Sequence, residues 1–214
     1  MPDIFDEVKE ELRAEQARKF WVRYGSAAAG VVLLAAIGFG GWQAWRWNEA
    51  RQTQATALAF MEVHRAAEAS GADLKAAGER FAAIAQTAPE GYRILAKLRA
   101  AALKAETGER DAALTLWNEV SGDSRAPQLY RDLASLMWAL HGLDTQDPAA
   151  LDSRLAPLVG TAWGASAREL QALVAIRRGA TAEAKKNLEA LAADVTAPAG
   201  VRERAGRVAA GLGV

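Results

Sequence analysis

Between Arg23 and Arg46 the chain carries no charged residue, and this stretch, Tyr24 to Trp45, restricts the fold more than any other feature. It contains Ala27, Ala28, Ala29, Val31, Val32, Leu33, Leu34, Ala35, Ala36, Ile37 and Phe39. At about 1.5 Å rise per residue, a helix of this length spans about 30 Å, the thickness of a bilayer's hydrocarbon core. Aromatic rings stand where headgroups would lie: Phe20, Trp21 and Tyr24 at one end, Trp42, Trp45 and Trp47 at the other. Two other readings compete. A cleaved signal peptide ends in a small-residue A-x-A-like site, whereas this run closes on Gly40, Gly41, Trp42, Gln43, Ala44, Trp45 and Arg46. A core helix of a soluble protein seldom stays uncharged for so long. The expectation is a transmembrane helix over 23–46, a tail over 1–22 and an outer domain over 47–214.

Orientation rests on the basic residues near the span. Lys9, Arg13, Arg18, Lys19 and Arg23 precede it, and Arg46, Arg51 and Arg65 follow. That bias places the N-terminus in the cytoplasm and the large domain outside, which in a bacterium means the periplasmic side of the inner membrane. Within the span, Ser26 with Gly30 and Ala36 with Gly40 form small-xxx-small pairs of the kind that let a second helix approach. Gly and Ala are also common in membrane helices for no such reason. Ile4, Phe5, Val8 and Leu12 make a short amphipathic pattern ahead of the span.

The rest of the chain is expected to be all-α. Outside the first 50 residues no run alternates Val, Ile and Thr with polar residues as strands do. No Gly or Pro interrupts residues 42 to 70, so the membrane helix is expected to continue into the outer domain. Breakers then recur: Gly71, Gly108, Gly142 and Gly179 are spaced by 37, 34 and 37, close to the 34-residue period of tetratricopeptide repeats. Pro89, Pro127 and Pro198 keep a second register, 18, 19 and 19 residues after Gly71, Gly108 and Gly179. Each unit is helix, Gly turn, helix, Pro. Ala113 and Trp117 follow Gly108 at the offsets at which Ala184 and Leu188 follow Gly179, with Phe81 in the corresponding place of the first unit. The third unit is degenerate: Asp147 and Pro148 start a helix through Leu151 and Leu155, and Pro157 arrives early. Ser166 with Glu169 has the pattern of a capping box, Thr181 that of an N-cap, and a last helix from about Gly200 to Leu212 caps the solenoid.

Charge and chemistry-bearing residues narrow the function. Lys plus Arg and Asp plus Glu are 26 each, so no net field draws nucleic acid. Without Cys there is no disulfide, thiolate nucleophile or Cys-ligated metal. The two histidines, His64 and His141, lie on separate helices with no H-E-x-x-H spacing. No nucleophile elbow, phosphate loop or dinucleotide fingerprint occurs. The chain therefore reads as non-enzymatic, with no cofactor, metal or small-molecule substrate. Tyr92, Trp117, Tyr130, Trp138 and Trp163 are candidates to line a peptide groove or to fill the core. Trp117 falls at a core position. Trp163, with Tyr130 and Trp138, is the groove candidate, because it stands in a small-residue loop, Gly160 to Ala165.

Three stretches together carry a resemblance: the anchor followed by Trp42, Trp45 and Trp47, the Gly160 to Trp163 loop leading into Ala167 to Gly179, and the terminal Asp194, Val195, Thr196, Ala197, Pro198. In this order they resemble the ancillary SecYEG translocon subunits, the YfgM-like proteins with a tetratricopeptide-like domain, over nearly the whole chain. The resemblance implies an inner-membrane protein that associates with the Sec translocon and, with a membrane-anchored periplasmic chaperone or foldase, helps exported proteins leave the channel. It implies no catalytic residues. The Ala-rich composition and degenerate third unit depart from that pattern. A repeat scaffold of another inner-membrane complex, in envelope biogenesis or division, is the alternative, and an envelope enzyme is a third reading.

Overall fold

A computed structural model describes the backbone of residues 4–213 and the side chains from residue 18 onward, those of Phe20 and Ala28 excepted. The amphipathic pattern of Ile4, Phe5, Val8 and Leu12, the charges of Lys9 and Arg13 and the ring of Phe20 therefore lie outside the described residues. The chain divides into two compact units, Met1–Gln52 and Thr53–Val214. The described secondary structure is helical throughout.

The first unit is built from one helix, α1 (Ile4–Glu68), whose last turns belong to the second unit. As the lack of Gly and Pro over 42 to 70 predicts, it runs without a break from residue 42 as far as Glu68. It is long and apolar enough to cross a membrane, and none of that apolar stretch is buried in the protein. Val31, Val32, Leu33, Leu34, Ile37 and Phe39 all expose their side chains, an apolar surface that water does not favour.

In the second unit follow α2 (Leu74–Thr87), α3 (Glu90–Glu106), α4 (Arg110–Gly122), α5 (Gln128–Gly142), α6 (Pro148–Leu155), a 3-10 segment (Ala156–Gly160), α7 (Gly164–Arg177), α8 (Thr181–Ala193) and α9 (Ala199–Gly211). Each helix packs on the next, and α3, α5, α7 and α9 also touch one another in turn, forming one wall of the array. Four apolar clusters follow one another along the stack. At their centres are Phe81, Trp117, Leu151 with Leu155, and Leu188, each almost inaccessible to solvent. The small residues Ala113 and Ala184, four positions before Trp117 and Leu188, are fully buried, so the paired helix approaches closely beside each large side chain.

The turns obey the two registers. Gly108 and Gly179 adopt φ of 86° and 80°, a region an L side chain enters only at a cost. Around each, two backbone bonds close a Schellman motif: Glu109 N–H donates to Lys104 O at 2.7 Å and Gly108 N–H to Ala105 O at 3.2 Å. The counterparts are Ala180 N–H to Ala175 O and Gly179 N–H to Ile176 O, both at 2.9 Å. Pro89, Pro127 and Pro198 open α3, α5 and α9, each preceded by a buried alanine, Ala88, Ala126 or Ala197. Asp123 and Asp194 shape the last two of these turns, their Oδ1 atoms accepting the Arg125 and Thr196 N–H at 3.0 Å.

Gly142 ends its helix, as its place in the spacing predicts, but without the positive φ of Gly108 and Gly179: it is the last residue of α5, and the chain leaves through a turn in which Gln146 N–H donates to Gly142 O at 2.8 Å. A Cβ there would lie 2.7 Å from Gln146 Cγ, so the glycine serves close approach. Ser166 does not cap α7, which starts two residues earlier after Trp163, and Glu169 is engaged elsewhere. Thr181 is the first residue of α8 and Ala180 precedes it as the cap. The degenerate third unit does start at Asp147, whose carboxylate accepts the Ala150 N–H at 3.1 Å, and Pro157 falls in the 3-10 segment that shortens α6. The last helix covers the end of the stack as α9.

Candidate functional site

In the second unit, the wall of alternate helices opens into a groove of about 500 Å³ between α5, α7 and α9. Its floor is apolar: Leu136 and Leu140 from α5, Leu170 and Leu173 from α7, Val208 from α9. Leu140 is 43% exposed, which leaves its side chain accessible to a ligand. Glu169, Arg204 and Arg207 supply the charge. The Glu169 carboxylate, with only 10% of its side chain exposed, accepts two bonds from Arg204, Nε at 2.8 Å and Nη2 at 2.7 Å. This planar, bidentate pairing satisfies both oxygens and raises the Arg204 pKa above its ordinary value. Arg207 makes no ion pair or hydrogen bond among the described residues, so the groove's lining has two cationic side chains against one carboxylate.

Trp163, Tyr130 and Trp138 are not among the residues that line this groove. Trp163 is half-buried against the cluster around Leu151 and Leu155, and its indole N–H donates to Leu129 O at 3.1 Å, tying the loop before α7 to the first turn of α5. Tyr130 packs against the cluster that holds Trp117. Trp138 bridges the second and third clusters, with the Arg154 guanidinium 4.1 Å from its ring centroid. Burial lowers the Arg154 pKa, and a 2.6 Å bond to Asn118 Oδ1 holds the group in place. The groove residues answer instead to the proline register. Leu136 and Arg207 stand nine residues after Pro127 and Pro198, and Leu98 stands nine after Pro89. That regularity is legible in the sequence, but only to a reader following the proline register rather than the aromatic residues.

The histidines have structural surroundings. His141 stacks on Trp117 with centroids 4.7 Å apart, and burial, with Arg110 nearby, lowers its pKa. His64 lies 3.3 Å from Glu68 on α1. Among the described residues no group of three or more His, Asp and Glu side chains is placed to hold a metal ion.

In the first unit, Trp21, Tyr24, Trp42, Trp45 and Trp47 are all exposed. Three of them carry an arginine over the ring: Arg23 at 5.9 Å from the Tyr24 centroid, Arg46 at 5.0 Å from Trp42 and Arg51 at 3.5 Å from Trp47. Each pair presents an apolar ring beside a cation, a chemistry suited to a headgroup layer. Ser26, Gly30, Ala36 and Gly40 are exposed on the helix surface, and among the described residues no atom beyond the chain neighbours and the helix's own nearby backbone lies within 4 Å of a Cβ built at Gly30 or Gly40.

The family described as Tetratricopeptide repeat-like domain covers residues 18–203. No curated protein and no solved structure matches the chain.

Proposed function

The chain belongs to the tetratricopeptide repeat-like domain family, and from that premise we propose that it is a non-enzymatic scaffold, anchored in the bacterial inner membrane and binding partner proteins through the groove between α5, α7 and α9. The observation that carries this reading is the groove itself: five apolar side chains, an accessible Leu140 and a charged rim, on a repeat fold that binds proteins. Residues 23–46 cross the bilayer, 1–22 remain in the cytoplasm and 47–214 face the periplasm. The exposed apolar surface of α1 and the basic bias before it support this topology. Trp21, Tyr24, Trp42, Trp45 and Trp47 form the interfacial belt, and the Ser26/Gly30 and Ala36/Gly40 pairs are the surface for a neighbouring membrane helix. Tethering raises the effective concentration of the groove at the membrane, so a weak contact becomes useful there.

The partner complex is the Sec translocon with a periplasmic chaperone or foldase, supported by the resemblance of the anchor, the Gly160 to Trp163 loop and the terminal Asp194 to Pro198 segment. The test is photocrosslinking in native membranes from residue 140, in the groove, followed by mass spectrometry. Adducts with translocon subunits and a periplasmic foldase are expected. Adducts confined to another inner-membrane complex refute the translocon assignment, and the absence of any protein adduct refutes the scaffold reading.

A further inference from the structure

Within the protein-binding reading, the groove's chemistry narrows what fits it. Its walls are the helices α5, α7 and α9, whose backbone groups are already paired along each helix. An extended segment laid there would leave its own N–H and C=O groups without partners, and burying them unpaired is costly. A helix satisfies its backbone internally and presents only side chains. A polyproline segment docks on aromatic rings, and none lines this groove.

Length and charge point the same way. Leu129, Leu133, Leu136 and Leu140 recur at i, i+4, i+7 and i+11 of α5, a single row along one helix face. Leu136 and Leu140 lie in the groove, and the outermost two, Leu129 and Leu140, remain 49% and 43% exposed. The row is about 16 Å long at 1.5 Å per residue, or three helical turns. At the rim Arg204 is neutralised by Glu169, whereas Arg207 forms no ion pair among the described residues. We propose that the groove's occupant is an amphipathic α-helix of a partner protein, its apolar face on the α5 leucine row and an acidic side chain against Arg207.

The full chain in lipid nanodiscs tests this by fluorescence anisotropy with synthetic 18-residue helices. One probe carries Leu at i, i+4, i+7 and i+11 flanked by Glu. A second has the Glu replaced by Lys, and a third has a central Pro that breaks the helix. The Glu helix should bind about tenfold more tightly than the Lys helix at low salt, with the gap shrinking in 1 M salt. Arg207→Glu should invert that preference, and Leu140→Glu should weaken both helices by at least about tenfold. Both positions are partly exposed, and unchanged far-UV circular dichroism shows that the variants fold. Equal binding of the Glu and Lys helices, equal binding of the Pro peptide, or no binding of either helix at about 1 mM overturns the proposal. Self-association of the chain that Leu140→Glu abolishes also overturns it, since a second copy is then the occupant. The scaffold reading stands or falls separately, on whether residue 140 crosslinks to any protein.

Discussion

The same substitution should have opposite effects at two glycines, and the structure supplies both signs. At Gly179, φ is +80° and no atom lies within 4 Å of a built Cβ, so Gly179→Ala meets only a backbone penalty. The left-handed region costs an L residue about 1–2 kcal/mol, offset by about 0.4–1 kcal/mol from the stiffer unfolded chain, for a net loss of about 1 kcal/mol. Gly206 lies inside α9 (Ala199–Gly211), and its Cβ would sit 3.7 Å from Ala192 Cβ, an ordinary contact. Gly206→Ala should therefore gain about 1 kcal/mol from helix propensity alone. The two variants then differ by about 2 kcal/mol, or about 30-fold in the folded-to-unfolded ratio. Gly164 gives a third case. A Cβ there would stand 2.2 Å from Val159 O, a backbone atom, so Gly164→Ala must displace the 3-10 segment and should cost more than Gly179→Ala, about 2–3 kcal/mol. Urea unfolding of the full chain in mild detergent, followed by far-UV circular dichroism with slopes compared, measures all three. A shift of the Gly179→Ala and Gly206→Ala midpoints in the same direction by similar amounts would refute the conformational argument.

Other perturbations follow from the same packing and charges. Trp117 is 1% exposed, and Trp117→Ala should cost about 3–5 kcal/mol, clearly more than Trp138→Ala, in the same urea titration. The Asp194 pKa is lowered to about 2 by hydrogen bonds from Thr196 and Arg168. A carboxyl held below its ordinary value near 3.8 stabilises the fold above that value and loses the contribution as pH falls toward 2. Asp194→Asn should therefore be less stable than wild type at pH 7, and the difference should close between about pH 4 and pH 2; a constant gap across that window sinks the assignment. Because the chain has no Cys, Arg18→Cys and Gln54→Cys each provide a unique thiol. An impermeant maleimide applied to spheroplasts should label residue 54 and spare residue 18, and the reverse pattern rejects the proposed orientation.

The all-α architecture was legible because its signals are local and periodic. Gly108 and Gly179 need φ values that glycine supplies cheaply, and the Ala-Pro steps before α3, α5 and α9 fix where each helix starts. The Ala113/Trp117 and Ala184/Leu188 pairs repeat because the same gap between paired helices must be filled each time. The signals that misled are those in which one residue type serves two purposes. Gly142 shares the spacing of the left-handed glycines but exists to admit the Gln146 side chain, a contact made after the helix ends. Ser166 and Glu169 have capping spacing, yet Glu169 bonds to Arg204, 35 residues away. No local pattern reveals a pairing of that range.

Aromatic residues stand outside this groove for a related reason. A large ring buries the most area where neighbours surround it, so Tyr130, Trp138 and Trp163 serve as packing and as struts, Trp163 through its bond to Leu129 O. A binding surface must instead remain uncovered, and in a stacked array the uncovered positions are those facing away from the next helix. Nine residues after each register proline the chain places Leu98, Leu136 and Arg207 in turn. The buried alanines and large apolar residues recur because every unit must close on its neighbour. The position nine residues after each proline differs from unit to unit: Leu98 and Leu136 pack on the core, and Arg207 is exposed. The recurring positions therefore build the fold, and the variable ones set the chemistry of the groove: Leu136 and Leu140 from α5 and, from α9, an arginine with no ion pair among the described residues.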